Sequence, residues 1–257
     1  MIKIEIQEDI TMKEYKGGRP YYGYSVGVLM LDMEAPLIPG NVGNAMSYDF
    51  PVLYKVLEGL PADWWCDEIG PDESRCQIFI DAAKELEAKG CKAITSGCGF
   101  FAIYQKRVAE AVNIPVFLSP LLMVPMLSRM LGGNRVGILT AGGAHLKGDF
   151  LKTVGIDETV NYAVGGLENT EEFYNVHVTC KKKTINPEKM EGEVVAVAKA
   201  LVAKYPDIKA FVFECSDIPP FARAVVRETG IPVFDFIGLA HMVARAIVPP
   251  VYPEFMG

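Results

Sequence analysis

The chain contains one segment twice, and this constrains its fold more than any other feature. CKAITSGCGFFAIYQKRVAEAVNIPVF begins at Cys91, and IKAFVFECSDIPPFARAVVRETGIPVF begins at Ile208. Lys-Ala stands at 92–93 and again at 209–210. A cysteine follows the alanine by five residues each time, at Cys98 and Cys215. Ile-Pro-Val-Phe starts 16 residues after each cysteine, at Ile114 and Ile231, and the offset is 117 residues throughout. A weaker echo pairs VGVL at Val26 with VGIL at Val136, at an offset of 110. A repeat of this length predicts two related halves, residues 20–130 and 131–240, joined by a pseudo-twofold axis. Residues 241–257 are expected to pack back across the junction.

The local pattern says what each half is made of. Unbroken apolar runs at 24–31, 92–95, 115–118, 135–140, 209–213 and 232–234 suit parallel strands covered on both faces. Helical patterns lie between them. Residues 77–89 place Ile78, Ala82 and Leu86 on one face before Gly90. Residues 191–204 form a second helix, and 221–228 a third that stops at Gly230. Strands alternating with helices give an α/β fold, a doubly wound Rossmann-like parallel sheet in each half. Residues 34–49 and 165–189 are rich in Gly, Asn or charge and read as loops. The first follows a strand directly, which puts it at the carboxyl edge where open α/β sheets bind ligands.

Composition narrows the function classes. The 257 residues carry a net charge of −7, which argues against nucleic acid or an anionic membrane as partner. The N-terminal 18 residues are too polar for a signal peptide. The apolar run at 115–126 is interrupted by proline and too short to span a bilayer. A soluble, cytoplasmic protein is expected. Six cysteines are too sparse for a disulfide scaffold. No CxxC occurs, and His145, His177 and His241 are far apart in sequence, so no metal site is expected.

Each repeat puts its cysteine just after a buried strand and just before a helix. Backbone N–H groups and the helix dipole at that position favour thiolate. If the two strand ends face one cleft, a substrate between them meets one thiol on each side. That geometry removes a proton from one face of a carbon and returns it from the other. Cys66, Cys76, Cys91 and Cys180 lack the repeat and read as small buried hydrophobes. A redox disulfide between Cys98 and Cys215 is the weaker alternative. No Arg or Lys stands beside either cysteine, so backbone N–H groups must hold much of a substrate anion. Thr95, Ser96, Gly97 and Gly99 offer hydroxyls and close backbone approach around Cys98. Ser216 offers a donor beside Cys215, and Thr140 ends the strand that opens the second half. Asp32 follows the first strand, where it can orient an ammonium or sulfonium group or tune a thiol. Glu214 and Asp217 flank Cys215, and one of them is expected to bind the loop rather than substrate. Tyr104 and Gln105 read as packing residues.

At these residues the chain from about Tyr22 to Ala246 resembles the aspartate/glutamate/hydantoin racemase superfamily. TSGCGF around Cys98 and FECSDIPP around Cys215 carry the resemblance. It implies two cofactor-free cysteines acting as acid and base, a site between the halves, and a homo-oligomer, dimer or tetramer. Amino-acid racemases usually follow the first cysteine with Asn-Thr, where this chain has Gly99 and Phe100. Many glutamate racemases follow the second with Thr-His, where this chain has Ser216 and Asp217 with no histidine near in sequence. Phe100 and Phe101 make the site more apolar than one built for a second carboxylate. Cys98-Gly99-Phe100, Gln105, the run from Glu214 to Pro220 and the segment beginning at Leu31 look similar to the algal dimethylsulfoniopropionate (DMSP) lyase branch.

The expectation is therefore a cofactor-independent enzyme that abstracts a proton α to the carboxylate of a small substrate. Racemisation or epimerisation of an amino-acid-like compound leads. β-Elimination to dimethyl sulfide and acrylate is the alternative, because both reactions begin with the same proton. A non-catalytic protein that binds a small anion is the third reading, and binding alone has no use for a thiol on each side.

Overall fold

The computed structural model describes residues 17–66 and 72–250. The first four strands are β1 (Val26–Leu31), β2 (Val52–Leu57), β3 (Ala93–Ser96) and β4 (Val116–Phe117). The second four are β5 (Arg135–Thr140), β6 (Tyr162–Gly166), β7 (Ile208–Phe213) and β8 (Val233–Phe234). They form two parallel sheets of the same order, β2-β1-β3-β4 and β6-β5-β7-β8. The echoing VGVL and VGIL segments are the inner strands β1 and β5. They pair with β3 and β7, which carry the cysteines at their carboxyl ends. All six residues of β1 are buried, as expected for a strand covered on both faces.

The helices are α1 (Glu73–Ala88), α2 (Gln105–Ala111), α3 (Val124–Met130), α4 (Asp149–Lys152), α5 (Glu171–Phe173), α6 (Pro187–Lys204), α7 (Ala222–Thr229) and α8 (Phe236–Ile247). α1 starts four residues before the apolar pattern does, because the Asp72 side chain accepts from the N–H groups of Ser74 and Arg75. Its buried face is also rotated from the expected one. Phe79, Ala82, Ala83 and Leu86 point inward, while Ile78 is 49% exposed. α6 likewise starts at Pro187, where the Asn186 side chain accepts from the Lys189 N–H. α7 ends at Gly230, which takes the left-handed conformation with φ 69°.

The stretch 165–189, expected as loop, holds the end of β6, α5, one π-helical turn (Tyr174–Val178) and the start of α6. Neither β2 nor β6 stands out in the sequence. Both are edge strands, half-buried along much of their length, so they lack the continuous apolar run of inner strands.

One core cluster runs through both sheets. A second lies under α8, where Phe236 is buried with Val28, Met30 and Val42 of the first sheet and its loop. Burying a phenyl ring of this kind contributes about 1.5–3 kcal/mol. Residues 241–247 extend α8 along that sheet, and His241 Nδ1 comes to 3.2 Å from Asp49 Oδ1. Residues 251–257 of the expected returning segment lie outside the described residues. Among the described residues no helix is long and apolar enough to cross a membrane.

Candidate active site

The chain leaves β3 at Ser96 and turns through Gly97 and Cys98 into a 3-10 helix (Gly99–Tyr104). The Ser96 hydroxyl pins this turn, lying 2.6 Å from the Leu118 carbonyl oxygen and 3.0 Å from that of Cys98. Its counterpart leaves β7 at Phe213 and runs through Glu214, Cys215, Ser216 and Asp217 into a short 3-10 turn and α7. Ser216 Oγ donates to the Gly97 carbonyl oxygen at 2.6 Å, joining the two cysteine turns. The loop after β1 supplies a third wall. Asn41 Nδ2 donates to Asp217 Oδ1 at 2.6 Å, and its own Oδ1 accepts from the Gly43 N–H.

Both cysteines line one small cavity. Gly97, Gly99, Phe100, Ser216 and Asp217 line it as well, and so does Glu214. Trp65 and Phe173 complete an apolar wall with Phe100. His177 and Val178 reach in from the π-helical turn, and among the described residues no Lys or Arg is present in the lining. His177 Nδ1 lies 3.6 Å from Asp217 Oδ1, too long for a hydrogen bond, and finds no other partner among the described residues. The sequence puts no histidine beside Cys215, but the fold brings one to the adjacent aspartate.

The electrostatics differ from the expectation of a lowered thiol. Burial pushes the Cys98 thiol well above its ordinary range, and the Glu214 carboxyl adds to the rise. The Phe100 backbone N–H and the Trp64 indole N–H act in the opposite direction and are outweighed. Trp64 Nε1 faces the Cys98 sulfur without a hydrogen bond of ordinary geometry, and has no other acceptor among the described residues. Burial also raises Cys215, helped by Asp217 and Glu214 and opposed by the Asp217 backbone N–H. Each thiol thus has the N–H two residues on, as a helix N-terminus provides, but the desolvation of a fully enclosed sulfur is larger. Both are thiols at rest. Cys215 Sγ has an acceptor, Asp217 Oδ2, at 3.5 Å.

Glu214 is fully buried, and burial pushes its carboxyl up to about 8 against a bond from Thr140. Thr140 Oγ1 donates to Glu214 Oε2 at 2.7 Å, so this threonine supports a cavity residue and is not in the lining itself. Thr95 and Ser96 are also outside the lining. Thr95 Oγ1 donates to the Phe117 carbonyl oxygen, securing the edge strand β4. Asp32 is exposed and accepts from the Gly59 N–H at 2.9 Å, outside the cavity. Gln105 also secures β4, donating to the Val116 carbonyl oxygen and accepting from the Leu118 N–H. Asn41, Trp65, Phe173 and His177 are cavity or supporting residues that the sequence did not single out. Only Asn41 carried a signal, since it sits in the loop already placed at the carboxyl edge. Among the described residues no group of three or more His, Cys, Asp or Glu is arranged to hold a metal ion.

A family model described as Asp/Glu/Hydantoin racemase matches residues 67–244. The chain belongs to the Asp/Glu/hydantoin racemase family. Among curated relatives, a dimethylsulfoniopropionate lyase of Durusdinium sp. clade D is 32% identical over 230 residues, covering 87% of this chain and 75% of that protein. Dimethylsulfoniopropionate lyase 7 of Emiliania huxleyi is 34% identical over 233 residues, covering 87% and 67%. Solved structures share the fold at low identity. An unliganded arylmalonate decarboxylase superposes with a TM-score of 0.56 at 16% identity, over 91% of this chain and 96% of that one. A glutamate racemase from Francisella tularensis in complex with D-glutamate gives 0.55 at 19%, over 88% and 81%. This family member is an enzyme, of the isomerase or the lyase type.

Proposed function

We propose that this racemase-family enzyme catalyses β-elimination from a small sulfonium carboxylate of the DMSP kind. The observation that carries this reading is the aromatic wall of Trp65, Phe100 and Phe173 in the cavity that holds both thiols and Asp217. A sulfonium has no N–H to satisfy and is well held by ring faces with a carboxylate nearby. An amino-acid ammonium has three donors, and this wall offers it no acceptor. The similarity to the algal lyases supports the same choice.

The reaction needs one base. Cys215 transfers its proton to Asp217, the acceptor at 3.5 Å, and the thiolate takes the proton α to the substrate carboxylate. The electron pair of the broken C–H bond forms the α,β double bond. The C–S bond breaks, and dimethyl sulfide leaves with its bonding pair, giving acrylate. The proton passes to solvent when the products depart.

Racemisation or epimerisation is the second reading. The matched placing of the thiols favours it, each with a backbone N–H two residues on, Phe100 for Cys98 and Asp217 for Cys215. Proton NMR in deuterium oxide separates the two, using DMSP, a panel of L- and D-amino acids, and Cys98→Ser as control. Acrylate and dimethyl sulfide from DMSP are the expected products. Loss of an α-proton signal from an intact amino acid, with scrambled chirality, overturns elimination in favour of racemisation.

A further inference from the structure

The cavity must accept a carboxylate, yet among the described residues its lining contains no Lys or Arg. An anion buried without a partner costs several kcal/mol or more. Two buried polar atoms in the lining are unspent among the described residues, His177 Nδ1, which faces Asp217, and Glu214 Oε1. Glu214 Oε2 is engaged by Thr140 at 2.7 Å, while Glu214 Oε1 is buried with no hydrogen-bond partner. Gly99 makes room for it: a Cβ on residue 99 would overlap both Glu214 Oε1 and the Glu214 carbonyl oxygen.

We propose that Glu214 is a substrate-binding residue whose Oε1–H donates a hydrogen bond to the substrate carboxylate. The inference rests on the reading that the reaction removes a proton α to a carboxylate, and holds for elimination and racemisation alike. The placing of the proton follows from the bonds around Thr140. Its hydroxyl oxygen accepts from the Gly142 N–H at 3.4 Å, and its own hydrogen is directed at Glu214 Oε2. The carboxyl proton is then carried by Oε1. Burial keeps that proton in place at neutral pH, with the carboxyl raised to about 8.

A neutral carboxyl donating to a carboxylate makes a charge-assisted O–H···O⁻ bond, among the stronger kinds available to a protein. As the α-proton leaves, negative charge moves onto the substrate carboxylate oxygens, and the same bond strengthens. Glu214 thus supplies what a lysine would supply elsewhere, without placing a cation where a sulfonium must sit. The titratable groups facing it are the thiols of Cys98 and Cys215, Asp217, and His177 across the cavity.

The test is calorimetric binding of propionate, and of neutral propionamide, to the wild type, Glu214→Gln and Glu214→Leu between about pH 6 and 9. Wild-type affinity for propionate is expected to fall roughly tenfold per pH unit above about 8. Glu214→Gln keeps a neutral donor, so it should bind within roughly tenfold of wild type at low pH and lose the slope. Glu214→Leu should lose roughly tenfold or more in affinity for propionate while retaining a cooperative melt. Propionamide binding should not follow pH in any of the three. An undiminished slope in Glu214→Gln overturns the proposal, as does unchanged binding in Glu214→Leu or no wild-type binding of propionate at low pH. Propionate has no leaving group, so the result is read without turnover. If DMSP releases no dimethyl sulfide, the elimination reading fails and this one is untouched; if only the slope is missing, the reverse holds.

Discussion

Ser216 Oγ donates to the carbonyl oxygen of Gly97 across 2.6 Å, although the two are 119 positions apart in the chain. Each of these residues is next to a cysteine, in turns that follow strands of different sheets. The bond therefore fixes one thiol relative to the other. Ser216→Ala leaves a buried carbonyl short of a partner and should cost about 1–3 kcal/mol. Thermal unfolding checks the stability. Turnover should fall more than the lost stability alone accounts for, since a small displacement of a reacting group is costly.

The two thiols should not be equal under elimination. Cys215 has the acceptor Asp217, and among the described residues Cys98 has none of that kind. Cys215→Ser is expected to reduce dimethyl sulfide release by about 10²–10⁴-fold. Cys98→Ser should lose less. Equal losses, with exchange of one enantiomer's α-proton surviving in each variant, would instead indicate two-base chemistry.

Thiol reactivity offers a check independent of substrate. The sequence suggests at least one activated thiolate, but burial raises both Cys98 and Cys215. Iodoacetamide should therefore modify neither rapidly at neutral pH. Half-buried Cys66 and Cys180 should be alkylated ahead of them, as read by peptide mass mapping.

Stability should depend on pH through Glu214. Its folded carboxyl is raised to about 8 from an ordinary value of 4.5. Between those values the folded state holds a proton that the unfolded chain has released. The stabilisation is complete at low pH and is lost as pH rises toward 8, at up to about 1.4 kcal/mol per pH unit. Melting temperatures of the wild type and Glu214→Gln from about pH 5 to 8 should diverge in slope, with the glutamine variant the flatter.

Gly99→Ala should be severely destabilising although alanine is the smallest change available. The added methyl meets the Glu214 carbonyl oxygen and Oε1. Overpacking of this kind costs about 1–3 kcal/mol or more. Adding Glu214→Ala should recover part of the loss, since one of the two obstructing atoms is then gone. A double-mutant cycle on denaturant midpoints measures the coupling.

Much of this arrangement was legible in the sequence. The repeat located Cys98 and Cys215 in matching positions because a duplicated strand-turn-helix must end its strand at the same edge each time. The inner strands were visible as continuous apolar runs. Edge strands β2 and β6 were not, since their half-exposed faces break the run. His177 and Phe173 were hidden in a polar stretch whose helical turns depend on tertiary bonds. The N–H groups of Glu171, Glu172 and Phe173 are all capped by the distant Glu193 carboxylate. The thiol acidity went the other way for a similar reason. A helix N-terminus is a local property, while the desolvation that outweighs it comes from both halves together.

The contact between Gly99 and Glu214 also bears on how such a site can change over time. The amino-acid racemases that this chain resembles usually have asparagine after the first cysteine. Here an asparagine would begin its side chain inside space that Glu214 already fills. The two positions, 115 residues apart in the chain, cannot drift independently. A lineage moving between the two arrangements must shorten residue 214 and shift its backbone before residue 99 can grow, so its specificity would turn over in linked steps.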